Sequence, residues 1–147
     1  MLTRVRPLAV AVLAAAALAD AAGPAVAKPP GTPAIPLNTE QETTGSNTGA
    51  NGFFSYRVDG DQFCYVLDVN GLSGSAIAAH VHVGPRHVAG PVEIPLLIPS
   101  APDFTTSGCV TVNDTALLTD LQANPKAYYV NVHTMLFPGG EIRGQLK

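Results

Sequence analysis

The stretch His80-Val81-His82-Val83-Gly84 alternates imidazole and valine side chains. Residues i and i+2 of a β-strand point to the same side of the strand. The two histidines therefore share one face of a predicted strand, and the two valines share the other. Such alternation is typical of a strand that has one face in an apolar core.

Two C-terminal runs repeat this alternation. In Tyr128–Thr134, one face carries Tyr129, Asn131 and His133, and valines fill the opposite face. In the run 138–146, three polar residues share a face, namely Glu141, Arg143 and Gln145. If these strands are neighbours of the first stretch in the sheet, the histidines meet on one surface.

Short strands recur along the chain between turn signals such as Asp59-Gly60 and Asn70-Gly71. The predicted strands are 34–42, 53–58, 62–69, 76–83, 92–98, 109–112, 128–134 and 141–146. Pro36 lacks an amide hydrogen and predicts an edge position for the first strand. One helix is predicted over 115–123, capped by Asp114 and ended by Asn124-Pro125. The pattern predicts an all-β Greek-key sandwich or barrel of seven to eight short strands with one short helix.

The N-terminus resembles an export signal. Arg4 and Arg6 precede an apolar run from Leu8 to Leu18, and Ala25-Val26-Ala27 is a small-x-small cleavage site. We interpret residues 1–27 as a signal peptide, 28–33 as a Pro-rich spacer and 34–147 as the folded domain. A retained N-terminal anchor is the alternative. No later apolar run is long enough to span a bilayer, so we expect a secreted or envelope-associated protein without a membrane span after cleavage.

The chain has two cysteines, Cys64 and Cys109, and a formal net charge of −3. Export makes a disulfide between the cysteines the expected state, with two free buried thiols as the alternative. The mild acidity offers no basic stripe for nucleic acid, so we expect no nucleic-acid partner.

The chain resembles the CHRD domain, a repeat of the developmental regulator chordin that also occurs alone in exported bacterial proteins. The resemblance covers about residues 34–147 and rests on these segments: Cys64–Leu72, Ala79–Gly84, Gly90–Val92, Gly108–Val110, Tyr128–Thr134 and Pro138–Leu146. It implies an extracellular β-domain with no established catalytic activity. Chordin contains several such domains with cysteine-rich modules, so growth-factor binding does not follow for a single domain.

A second likeness concerns fewer residues. His80-Val81-His82 is similar to the copper-binding strand of copper/zinc superoxide dismutase, a Greek-key barrel with one disulfide, and His133 matches a further copper ligand. The long loop that holds zinc in that enzyme has no counterpart here, and His87 is the one spare histidine.

Neutral imidazoles suit copper or zinc. We therefore predict a metal site at His80, His82 and His133, with three surrounding residues that orient or neutralise it: Asn131, Glu141 and Arg143. The alternative is a structural network of hydrogen bonds among the same side chains.

Two functions follow. The first is a non-enzymatic exported module that either binds an extracellular protein or an envelope component or has a purely structural role at the cell surface. The second is a copper- or zinc-binding domain, with superoxide-dismutase-like or electron-transfer chemistry as its extreme form. No serine nucleophile motif or phosphate-binding loop is present.

Overall fold

The computed structural model describes residues 34–147, so the predicted signal peptide and spacer lie outside the described residues. The strands are β1 (Ile35–Asn38), β2 (Asn51–Asp59), β3 (Gln62–Asn70), β4 (Ala76–Val83), β5 (Val92–Pro95), β6 (Phe104–Thr111), β7 (Tyr128–Thr134) and β8 (Ile142–Gln145). The helix α1 spans Thr115–Ala123, and short 3-10 turns occupy Thr39–Gln41 and Pro125–Ala127.

All eight strands form one antiparallel sheet in the order β5-β4-β7-β8-β1-β2-β3-β6. The sheet curls into a nearly closed barrel whose apolar side chains fill the interior, among them Phe54, Leu67, Val81 and Val130. Consecutive strands β3 and β4 lie far apart in this order, and so do β6 and β7. The eight strands and the single α-helix of residues 34–147 confirm the predicted all-β class with one short helix.

A tyrosine bridges the gap between the two end strands, β5 and β6. The hydroxyl of Tyr65, on β3, accepts a hydrogen bond of 2.7 Å from the backbone N–H of Leu97 and donates one of 2.6 Å to the carbonyl of the same residue. Leu97 lies two residues after the end of β5 in the chain. The side chain therefore takes the place of backbone pairing at the seam of the barrel.

We expect Tyr65→Phe to lower the free energy of unfolding by about 1–2 kcal/mol, because both backbone groups of Leu97 lose their partner. Urea unfolding would measure the change. Tyr56→Phe is the matched control, since its hydroxyl makes one exposed bond of 3.3 Å to the Lys147 carbonyl. Equal losses in the two variants would contradict a specific role for Tyr65 at the seam.

The helix has the predicted bounds. The Asp114 carboxylate accepts hydrogen bonds from the backbone N–H groups of Ala116 and Leu117, at 3.0 and 3.1 Å. This is the arrangement that favours aspartate as an N-cap. Leu118 and Leu121 are buried against the barrel.

The edge position predicted for the first strand is wrong, because β1 lies between β8 and β2 in the middle of the sheet. The N–H and the carbonyl of one residue in an antiparallel strand face the same neighbouring strand. The carbonyl of Pro36 faces β8 at Gly144, so the missing amide hydrogen is also on the β8 side. Along that seam the ladder has a single pair, Asn38 with Arg143. The missing amide hydrogen of Pro36 therefore costs little pairing.

Strand β6 begins at Phe104, earlier than the predicted 109. Its Ser-, Thr- and Gly-rich first half reads as a loop, yet it pairs with β3 along its whole length. Strands β1 and β5 end earlier than predicted, at Asn38 and Pro95.

The predicted disulfide is present. Cys64 on β3 and Cys109 on β6 are direct register partners, and a disulfide joins them. Neither thiol is free. None of the helices formed by residues 34–147 is long and apolar enough to cross a membrane.

Candidate metal centre

Strands β4 and β7 are neighbours, and their register brings the histidine faces together. His82 lies opposite Tyr129, His80 lies opposite Asn131, and Ala78 lies opposite His133. His80 and His133 are therefore diagonal neighbours on the same face of the sheet. The predicted meeting of the histidine strand with the Tyr128–Thr134 strand is thus realised in the fold.

We call His80, His82 and His133 the three-histidine cluster. One ring nitrogen from each residue lies within 4.8 Å of the other two. The closest pair is Nδ1 of His80 and Nε2 of His133, which are 3.0 Å apart. His82 and His133 are buried, while His80 is partly exposed.

Backbone carbonyls orient two of the rings. Nδ1 of His82 lies 2.9 Å from the Gly90 carbonyl oxygen, and Nδ1 of His133 lies 3.0 Å from that of Pro138. A carbonyl only accepts hydrogen bonds, so each Nδ1 carries the hydrogen and each Nε2 keeps its lone pair. The Nε2 atom of His82 is buried and has no partner of hydrogen-bond geometry among the described residues, while the nearby Asn131 side chain acts to raise the pKa of His82. Metal-bound histidines are held in this way by their second nitrogen.

The surroundings keep the imidazoles neutral. Burial lowers the pKa of His80, and the nearby His82 adds to this effect. Burial also lowers the pKa of His82. For His133, burial together with the two other histidines lowers the pKa to about 4, although the bond to Pro138 opposes this shift. Neutral imidazole is the form that binds a metal ion, so no proton has to leave at pH 7.

Glu141 does not contact the histidine rings. Its fully buried carboxylate accepts bonds from the backbone N–H and the hydroxyl of Ser73, both at 2.7 Å, and from the hydroxyls of Thr134 and Thr48 at 2.7 and 2.8 Å. Burial raises the pKa of Glu141, but these bonds outweigh it and the pKa lies below its ordinary value. The orienting task predicted for Glu141 falls instead to the Gly90 and Pro138 carbonyls.

Arg143 is 1% exposed and lies beneath the connection between β4 and β5, which we call the 84–91 loop. Its guanidinium donates to the carbonyls of Pro85 and Val88, at 2.7 and 2.9 Å. Arg143 forms no ion pair with Glu141, two residues away, because the Glu141 carboxylate is occupied by Ser73 and the two threonines. Burial lowers the pKa of Arg143, although a guanidinium stays protonated in proteins.

Tyr129 links Arg143 to the cluster. The guanidinium carbon lies 3.3 Å from the centre of the Tyr129 ring. The Tyr129 and His82 rings are parallel within 5°, with centroids 4.8 Å apart. The Tyr129 hydroxyl accepts a bond of 3.0 Å from the Gly90 N–H, so the tyrosine also anchors the loop that orients His82.

Tyr128 and Tyr129 lie on opposite faces of β7, yet both are buried, at 3% and 2% exposed. Tyr128 donates to Asp120 at 2.6 Å, and Tyr129 is covered by the 84–91 loop. Asn131 is also buried, and its amide reaches the Gly139 carbonyl at 3.4 Å. The turn signals Gly90-Pro91 and Pro138-Gly139 mark the carbonyls that hold the rings, but sequence reasoning assigned them no role at the site.

These features define an all-β, disulfide-bonded barrel with a half-buried cluster of three neutral histidines. The chain belongs to the CHRD domain family, whose sequence model matches residues 34–146. Neither a curated protein nor a solved structure matches the chain.

Proposed function

We propose that this CHRD domain is an extracytoplasmic binding module that holds one copper or zinc ion at the three-histidine cluster. The observation that supports this most directly is the buried Nε2 atom of His82, which has no hydrogen-bond partner among the described residues although its ring belongs to the three-histidine cluster. A buried polar atom without a partner is costly in a structural network. A metal ion would satisfy it.

The distances suit a metal after small side-chain movements. Ligand nitrogens that lie about 2.0–2.1 Å from one ion are roughly 3.3–3.6 Å apart. The nitrogens of the cluster are between 3.0 and 4.8 Å apart. The bond between His80 and His133 would be replaced by two bonds to the ion. Three protein ligands would leave the fourth position of a tetrahedral ion for solvent or another molecule, and His80 is the partly exposed member of the cluster.

The location outside the cytoplasm is supported by the family and by the disulfide. CHRD domains are extracellular, and a disulfide between Cys64 and Cys109 is compatible with an oxidising compartment. In this proposal the domain acts by binding, and an extracellular protein or an envelope component would be its macromolecular partner.

Metal titration tests the proposal. The complete sequence is produced in an exporting, oxidising host, and Cu(II) and Zn(II) are titrated into the wild type and into His80→Ala and His133→Ala. We expect one ion per chain in the wild type, with affinity lower by on the order of a hundredfold or more in each variant, because second-sphere losses alone cost 10–100-fold. Circular dichroism would show that the variants are folded.

His87→Asn is the matched control, since His87 is exposed, lies outside the cluster and has a positive φ of 60°, which asparagine tolerates. It removes one imidazole and should leave the affinity unchanged. The proposal is refuted if the wild type binds no tighter than His133→Ala, or if His87→Asn weakens binding as much as the cluster variants.

A redox activity of the superoxide-dismutase or electron-transfer type is the second candidate. The number of ligands favours it, because three histidines would leave a fourth position, which catalytic metal sites retain. A copper-loaded sample that dismutates superoxide no faster than the His133→Ala variant would restrict the function to binding.

A further inference from the structure

A buried positive charge lies close to the three-histidine cluster. Arg143 is almost completely buried, and the one ion pair within residues 34–147 is the exposed pair Arg57–Asp59. The hydrogen bonds of Arg143 go to neutral carbonyls and to the Gln145 amide oxygen, and its Nε atom has no partner among the described residues. Its charge is therefore not cancelled by a contacting acid.

The charge acts on the cluster through a short stack. Strand β7 lies between β4 and β8, so the Tyr129 ring lies between His82 and Arg143. The guanidinium carbon is 3.3 Å from the Tyr129 centroid, and the His82 centroid is 4.8 Å from it. No solvent layer separates these groups. Charges inside proteins interact through an effective dielectric constant of about 20, far below that of water.

The ligand set does not offset this field, because it consists of three neutral imidazoles and includes no carboxylate. Glu141 is engaged by Ser73, Thr134 and Thr48. Glu42 is the acid that acts on Arg143 electrostatically, but the guanidinium directs its hydrogen bonds to Pro85, Val88 and Gln145 instead. Arg143 is therefore the charged side chain that the stack connects directly to the cluster.

We propose that Arg143 makes the three-histidine cluster selective for the singly charged cuprous ion over doubly charged ions such as Cu(II) and Zn(II). A neighbouring positive charge repels an ion of charge +2 twice as strongly as an ion of charge +1. Imidazole nitrogens bind copper in both oxidation states. The inference rests on the proposed metal site and specifies its ligand. In the couple, Cu(II) takes up one electron to give Cu(I), and no bond of the protein is made or broken.

The test compares the wild type with Arg143→Gln, which removes the charge but keeps hydrogen-bond donors. Cu(I) affinity is measured anaerobically against a chromophoric chelator, and Zn(II) serves as the redox-inert divalent probe. We expect the ratio of Cu(I) to Zn(II) affinity to fall at least about tenfold in Arg143→Gln. On an electrode, the Cu(II)/Cu(I) potential should fall by the equivalent of that factor, about 59 mV for one electron.

Two further variants separate charge from structure. Arg143→Lys keeps the charge but loses the two-carbonyl fork, so it should restore most of the ratio that Arg143→Gln loses. Glu42→Gln removes an opposing charge, so it should move the potential in the opposite direction. Circular dichroism establishes that each variant is folded, and Glu42→Gln provides a reading even if Arg143→Gln does not fold.

The outcomes are distinguishable. A wild type that binds neither Cu(I) nor Zn(II) refutes the proposed metal site and this inference together. A wild type that binds both, with the same ratio in Arg143→Gln, Arg143→Lys and Glu42→Gln, refutes the inference alone. A shift in Arg143→Lys as large as in Arg143→Gln, with none in Glu42→Gln, assigns the effect to the 84–91 loop and also refutes it.

Discussion

Replacing Cys64 and Cys109 together with alanine is expected to lower the free energy of unfolding by roughly 4 kcal/mol in the chain-entropy account of disulfides. The disulfide closes a segment of 45 residues. Strand β6 lies at the end of the sheet and, among the described strands, pairs only with β3, and the disulfide links these two strands covalently. A loss of this size is a large part of the stability of an ordinary domain of this length.

Urea unfolding with and without a thiol reductant measures this effect. The reductant should destabilise the wild type by a similar amount and should not change the double variant. If the free energy of unfolding of the double variant were within about 1 kcal/mol of the wild-type value, the backbone pairing of β3 with β6 would be sufficient to hold β6 in the sheet without the disulfide.

Replacing Glu141 with glutamine is expected to lower the free energy of unfolding by about 2–4 kcal/mol at neutral pH. The carboxylate accepts four hydrogen bonds, and an amide nitrogen cannot accept the two that its oxygen receives. These bonds join the segments before β2 and β4 to the turn between β7 and β8, so the variant should loosen all three connections.

The pH dependence of this difference has a definite sign. Because the folded pKa of Glu141 lies below its ordinary value of 4.5, its stabilising contribution is fully present above that pH. The contribution is lost as the pH falls through the lower folded pKa. Wild type and Glu141→Gln should therefore converge in acid. Glu40→Gln is the control, since Glu40 is exposed and the change in charge is the same. Parallel curves for wild type and Glu141→Gln would contradict this assignment.

The sequence predicts elements well where a local signal is strong. The helix has its exact predicted bounds because Asp114 caps it and Pro125 prevents its continuation. The strands with clear alternation, β3, β4 and β7, differ from their predicted bounds by at most one residue. By contrast, the first half of β6 contains Thr105, Thr106, Ser107 and Gly108, and its pairing with β3 decides its conformation.

Position in the sheet is a tertiary property, and local rules did not predict it. Pro36 lies in a central strand because the seam between β1 and β8 has one backbone pair. Glu141 and Arg143 are two residues apart, as in a shared strand face, yet Glu141 precedes β8 and its side chain turns toward Ser73. Period-two alternation identifies which residues can share a face but not which loops cover that face.

The candidate site was therefore predicted in part. The convergence of His80, His82 and His133 follows from the alternation once β4 and β7 are neighbours. The carbonyls of Gly90 and Pro138 belong to loops, and the stack of Arg143 on Tyr129 depends on the burial of both under the 84–91 loop. These contacts depend on the path of the loops between strands. The sequence marks where these loops turn, but it does not indicate which side chains they contact.

Strands β1 and β8 are the first and last described strands in the chain, yet they are neighbours in the sheet. Their pairing can therefore form only after β2 to β7 have been synthesised. A chain is synthesised from its N-terminus, so one edge of β1 stays open while β2 to β7 are added. An open strand edge invites pairing with other chains. Strand β8 pairs with both β1 and β7, so the eight strands form one sheet only when β8 is added. The same strand carries Arg143, which stacks on Tyr129. In the proposed site, metal selectivity would therefore depend on the last described strand to join the sheet.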